Sequence, residues 1–136
     1  MGGVAAVADL REKRDRFLRE ATKNLAQKTR SLAVTFTDEG DVYYSGYSNI
    51  LEMPEFFDID LTRNVLGLLD RFDYLDKIFS KATVEGDTYI MLGEDLGYDY
   101  LAPCGLVFTR FGNGKKYQGV IGVLGPCRLN YQRAIR

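Results

Sequence analysis

Leu106-Val107-Phe108-Thr109-Arg110-Phe111 and Tyr117-Gln118-Gly119-Val120-Ile121-Gly122-Val123-Leu124 are two runs rich in β-branched and aromatic residues. Between them lies Gly112-Asn113-Gly114-Lys115. Such runs favour a pleated, half-buried surface, and Asn-Gly readily adopts the positive φ angles of a tight turn. Residues 106–124 are therefore predicted to be an antiparallel hairpin. Gly119, Gly122 and Gly125 recur every third residue along its second arm. Glycine there either lets the sheet curve or opens room for a ligand or another backbone.

The same signals extend outward from this hairpin. Asp87–Leu92 reads as a buried strand closed by Gly93, followed by a polar loop from Glu94 to Gly105. Leu32, Val34 and Phe36 alternate with Ala33, Thr35 and Thr37, the period of a strand over Ser31–Thr37. Asp38-Glu39-Gly40-Asp41 is turn chemistry, and Val42-Tyr43-Tyr44 returns as a second strand. Ser45–Phe57 is irregular and aromatic. Asp58 and Asp60 are both candidate caps for one helix of about five turns, whose stripe is Leu61, Val65, Leu68, Leu69, Phe72, Leu75, Ile78 and Phe79. Gly67 within it costs about 1 kcal/mol relative to alanine, so it is expected to mark a close contact. At the start of the chain Leu10, Phe17, Leu18, Ala21 and Leu25 space a helix over about Ala8–Thr29. Gly125-Pro126 ends the last strand, and Leu129–Ile135 is predicted to begin a further helix. Hairpins segregated from helices give an α+β class with a mainly antiparallel sheet. Residues 1–30 are read as a helical arm and 31–136 as one domain.

Composition removes whole classes of chemistry. The 136 residues contain no histidine, so Ser-His-Asp and Cys-His catalysis and all His-ligated metal sites are excluded. Cys104 and Cys127 are too few for a zinc site. They are read as buried and inert, since nothing nearby activates a thiolate. No apolar run approaches the ~20 residues of a membrane span, and the opening is not a secretory signal. The expected compartment is the cytoplasm, with no membrane partner, no cofactor and no metal. Net charge is −1, but its distribution is uneven. Residues 1–36 carry eight bases against four acids, 37–100 fifteen acids against four bases, and 101–136 six bases and no acid. The basic ends either neutralise the acidic middle or form a polar binding face.

Three segments carry a family likeness. Gly46-Tyr47-Ser48-Asn49-Ile50-Leu51-Glu52-Met53-Pro54-Glu55-Phe56 resembles the G-x-x-N-L-L-x-x-P-E-F segment of the HrcA heat-inducible transcription repressors. Leu92-Gly93-Glu94 resembles their I-G-E-E segment. Gly119 to Ile135, through Gly122, Gly125-Pro126, Arg128 and Tyr131, is similar to their G-x-x-G-V-x-G-P-x-R-M-x-Y-x-x-x-I ending, with Leu129 and Asn130 where methionine and aspartate are usual. The resemblance implies a GAF-like effector domain in a repressor of chaperone operons. It also implies a homodimer, the chaperonin GroEL as a partner that keeps the repressor active, and operator DNA bound by an N-terminal winged helix-turn-helix. No such module is recognisable in residues 1–30. The turn at Asp38–Asp41 stands where the family carries a dimerisation insert.

The candidate partner or pocket surface is Gly46, Asn49, Pro54, Phe56, Gly93, Glu94, Gly122, Gly125, Pro126, Arg128 and Tyr131. Each has a structural alternative. Asn49 can fix a loop, and Phe56 and Phe57 can staple onto the following helix. Arg128, Arg133, Lys115 and Lys116 can meet phosphate or an acidic partner, or remain a solvated face. Tyr43, Tyr44, Tyr47, Phe56 and Phe57 are expected to form an exposed aromatic loop for chaperonin capture. Glu94, Asp95 and Asp99 form no catalytic constellation, and the chain is not read as an enzyme. A small-molecule sensor built on a GAF pocket is the alternative function.

Overall fold

The computed structural model describes residues 2–81, 86–112 and 118–126. A long helix, α1 (Gly2–Thr29), leads into strands β1 (Leu32–Thr37) and β2 (Val42–Ser45). Next come α2 (Tyr47–Leu51), a 3-10 turn (Pro54–Phe57), α3 (Ile59–Leu68) and α4 (Phe72–Phe79). Strand β3 (Thr88–Leu92) is followed by 3-10 turns at Gly93–Leu96 and Asp99–Leu101, then by β4 (Cys104–Gly112) and β5 (Gln118–Pro126). The five strands form one antiparallel sheet in the order β2-β1-β5-β4-β3. This is the α+β architecture expected of a GAF-like domain.

Strand alternation divides the core. On one face, Leu32, Val34 and Phe36 of β1 align with Leu124, Gly122 and Val120 of β5, and these with Leu106, Phe108 and Arg110 of β4. Ile50, Phe56, Leu61, Val65, Leu68, Leu75, Ile78, Leu96 and Leu101 cover that face and form the main core with it. On the other face Ala33, Val107 and Val123 pack with Ala26 and Leu25 of α1. Here β1 also places Thr35 against Thr22 of the helix, with their hydroxyls 2.6 Å apart. The Thr22 hydroxyl donates to the Leu18 carbonyl, leaving its oxygen to accept from Thr35.

Five expectations need correction. The strand read as buried over Asp87–Leu92 is an edge strand in which only Met91 is buried and Ile90 and Leu92 are exposed, since β3 pairs on one side alone. The helix expected over Asp58–Phe79 is two helices: turn-like bonds from Leu69, Asp70 and Arg71 to Leu66, Gly67 and Leu68 tighten the chain, and Arg71 is extended (φ −103, ψ 92). The apolar spacing runs through this break because both helices turn toward one core. The side chains of Phe72 and Phe79 lie outside the described residues. Gly67 marks no contact, since nothing lies within 4 Å of a Cβ built there. Helix α1 begins at Gly2 rather than near Ala8, the alanine-rich Val4–Leu10 segment continuing it. The Glu94–Gly105 loop holds two 3-10 turns and yields to β4 at Cys104. Of the two candidate caps, Asp58 is the one used: its carboxylate accepts from the amides of Asp60 and Leu61. The Asn113-Gly114 turn and the helix expected at Leu129–Ile135 lie outside the described residues. The two arms of that hairpin pair as expected from Gly112↔Gln118 to Cys104↔Pro126.

Candidate functional site

The segment Gly46–Phe56 is a set of backbone pins. Helix α1 ends with Arg30 in the left-handed region (φ 53) and the Ser31 amide bonded to the Ala26 carbonyl, a Schellman-type stop. The Asn49 amide nitrogen donates to the carbonyls of Ala26 (3.4 Å) and Ser31 (3.1 Å). Gly46 (φ 88) lies so close that a Cβ would sit 2.3 Å from the Ser31 oxygen and 2.8 Å from both the Ala26 Cβ and the Asn49 nitrogen. The spacing Gly-x-x-Asn thus closes α2 onto the point where α1 hands over to the sheet. Pro54 opens the 3-10 turn, where a missing amide costs nothing.

Phe56 does not join the exposed surface: it is 4% exposed and belongs to the main core. Its carbonyl accepts from the Thr62 hydroxyl, tying the turn to α3. Tyr43 is only half-exposed. Its hydroxyl donates to Asp15 at 2.6 Å, and the Arg19 guanidinium lies 5.9 Å from its ring centre. The exposed apolar side chains of this stretch are instead Tyr44 and Tyr47, whose ring centres are 6.5 Å apart, and Leu51, Phe57 (71% exposed) and Ile59 (70%). Ile59 and Leu51 were not anticipated. Their only signal is apolar character outside the helical stripe.

The remaining predicted residues are dispersed. Gly93 (φ 57) turns β3 into a 3-10 segment beneath Ala102, and Glu94 beside it is exposed. A Cβ at Gly122 would lie 2.6 Å from the Val107 carbonyl and 2.7 Å from the Phe108 Cβ. One at Gly119 would strike the Phe111 ring and the Phe36 carbonyl. These two glycines therefore admit neighbouring phenylalanines and backbone across the sheet. Gly125 pairs with Gly105, and Pro126 is buried opposite Cys104, itself fully buried. Arg128, Tyr131, Cys127, Arg133, Lys115 and Lys116 lie outside the described residues.

A cavity of about 320 Å³ opens between α4 and the ends of β1 and β5, lined by Phe36, Asp38, Asp76, Arg110, Gly119 and Val120 among others. Arg110 is bonded to Gln118 across its wall. Near the start of α4, the hydrogen bond from Arg71 (2.9 Å) holds the Asp73 carboxyl below its ordinary range. Tyr98 stacks on Tyr100 and leans on Tyr74, with ring centres 5.1 and 5.4 Å away. Burial pushes the Tyr74 phenol well above its ordinary pKa, and its hydroxyl donates to the Leu96 carbonyl. Among the described residues no three acidic or thiol side chains gather as a metal site, and no helix is long and apolar enough to cross a membrane.

An α+β module with one antiparallel sheet, whose signature residues are pins for its backbone, is the class this geometry defines. The model of the HrcA protein C-terminal domain matches residues 4–135, and the chain belongs to that family. The family is one of transcription regulators, not enzymes. Among its relatives, the heat-inducible transcription repressor HrcA of Moorella thermoacetica is 37% identical over 94 residues, covering 69% of this chain. Those of Brevibacillus brevis and Desulforudis audaxviator are 31% and 33% identical, over 72% and 70% of the chain. The matched region spans only 27–28% of these relatives' length. A crystal structure of a hypothetical protein shares the fold with a TM-score of 0.53 at 17% identity, covering 68% of this chain and 27% of that one.

Proposed function

We propose that this chain is the effector part of a heat-inducible repressor of chaperone genes, acting in the cytoplasm as a homodimer, with operator DNA held by a separate N-terminal module. The observation that carries the reading is the family match over residues 4–135, in which the likeness falls on residues that build the fold. The exposed apolar residues Tyr44, Tyr47, Leu51, Phe57 and Ile59 between β2 and α3 are what the domain offers to a chaperonin such as GroEL. A helper that binds one state of the domain shifts its active population by mass action. Gly93 and Glu94 follow the opposite edge strand, β3, and are assigned to a separate partner contact; Arg128 and Tyr131 are assigned to a partner surface on the family likeness alone.

The test is transcriptional. Cells lacking the gene should raise chaperone transcripts at ordinary growth temperature, and reintroducing the gene should restore repression. Unchanged transcripts would overturn the reading. The Phe36–Val120 cavity favours a second reading, a small-molecule sensor. A metabolite that raises the melting temperature of the protein, but not of an Arg110→Ala variant, would support it.

A further inference from the structure

Helix α1 sorts its charges by face. Asp15 and Arg14 turn inward: Asp15 accepts from Tyr43, and Arg14 pairs with Glu39 at 3.0 Å. From Glu12 to Arg30 the exposed charged side chains are Lys13, Arg16, Arg19, Lys23, Lys28 and Arg30 against Glu12 and Glu20. Lys13, Arg16, Glu20, Lys23 and Gln27 follow one another at three- and four-residue steps, so they form a single row along the outer side of the helix. The fourteen helical rises from Lys13 to Gln27 make that row about 21 Å long, which spans roughly six phosphate steps of a DNA strand.

We propose that this row binds the phosphate backbone of duplex DNA without reading its sequence, adding an electrostatic hold to whatever module reads the operator. The inference rests on the repressor reading above. Charge complementarity selects the occupant. The row is net positive and polar throughout, with Asn24 and Gln27 as further donors for phosphate oxygens. A protein interface is built around a buried apolar centre, which the row does not contain. The exposed apolar residues of the helix, Leu10 and Phe17, fall on a neighbouring line seven residues apart. A second copy would engage that line.

The experiment is fluorescence anisotropy of the full chain with a labelled duplex of arbitrary, non-operator sequence, titrated from 50 to 200 mM salt. The row's three bases, Lys13, Arg16 and Lys23, neutralising one phosphate each give a slope of about −2.7 in log affinity against log salt, a loss of about fortyfold over that range. The double reversal Arg16→Glu, Lys23→Glu should flatten the slope by about 1.8, while Arg63→Glu on α3 and Phe17→Ser leave it unchanged. Absence of binding at 50 mM salt would overturn the proposal, as would a slope indifferent to the double reversal or equally sensitive to Arg63→Glu. Self-association abolished by the double reversal, without DNA binding, would assign the row to an acidic face of a second copy and also overturn it. Circular dichroism of each variant establishes that the fold is retained. Because the duplex is not an operator, failure here leaves the transcript test of the repressor reading intact.

Discussion

Gly46 and Asn49 show how much of a family signature can be backbone mechanics. Gly46 combines a left-handed φ of 88° with a backbone oxygen 2.3 Å from where a Cβ would stand. Gly46→Ala adds left-handed strain to overpacking against an atom that cannot swing away, so a loss of about 3 kcal/mol is expected in urea unfolding. Asn49→Ala removes the side-chain donor to the Ser31 carbonyl, while the Ala26 carbonyl keeps the Ser31 amide. Its expected cost is smaller, about 1–2 kcal/mol. The buried threonine pair gives a sharper contrast. In Thr35→Val, Thr22 still donates to Leu18; in Thr22→Val, the Thr35 hydroxyl loses the acceptor that the pair supplies. Thr22→Val should therefore be the more damaging, at about 1–3 kcal/mol against about 1 kcal/mol. Equal losses in chemical unfolding would contradict that assignment of donor and acceptor.

Among the elements, strands were legible and helix ends were not. Strand β1 alternates because its two faces meet different layers, and its partner strands share faces with it in register, so the period of two is written directly in the residues. The break between α3 and α4 leaves no such mark. Leu68 and Leu69 end one apolar face and Leu75 and Ile78 begin another, and both point into the same core. No proline or positive-φ glycine signals the extended Arg71, which the ion pair to Asp73 and the contact with Tyr98 hold in place. Of the candidate site, Gly46 and Asn49 were legible as a motif. Their role was not, because the carbonyls they serve come from Ala26 and Ser31, far back in the chain. Gly67 was misread for a related reason: sequence shows the cost of a helical glycine but not the empty space beside it. With nothing within 4 Å and an ordinary negative φ, Gly67→Ala should stabilise the protein by about 0.5–1 kcal/mol. Differential scanning calorimetry would show a raised melting temperature; a lowered one would mean that the glycine serves a contact after all.

Across the whole molecule, charge is arranged by layer: bases line the outer side of α1, and acids dominate the elements from the β1–β2 turn to the second 3-10 turn. One ionisable group is committed to the interior of that acidic half. The Tyr74 ring packs against the main core, its phenol donates to Leu96, and burial raises its pKa above the ordinary 10.0. The folded form thus resists ionisation that the unfolded chain permits. The linked stability is fully present below pH 10 and is lost as pH climbs from there toward the raised folded value. Unfolding free energy measured from pH 8 to 11 should be flat at first and then fall. Tyr74→Phe should lower stability at pH 8 by about 1 kcal/mol, the worth of one hydrogen bond, and make the alkaline decline shallower than in the parent protein. The Asp73 carboxyl acts at the opposite end of the scale. Held low by Arg71, it adds stability above its ordinary pKa that is lost as pH falls through the folded value, so Asp73→Asn should lower the neutral plateau slightly, flatten the acid limb and leave the alkaline limb unchanged. If Tyr74→Phe left the alkaline limb as steep as before, the decline would belong to the other tyrosines and burial of the Tyr74 phenol would not be its cause.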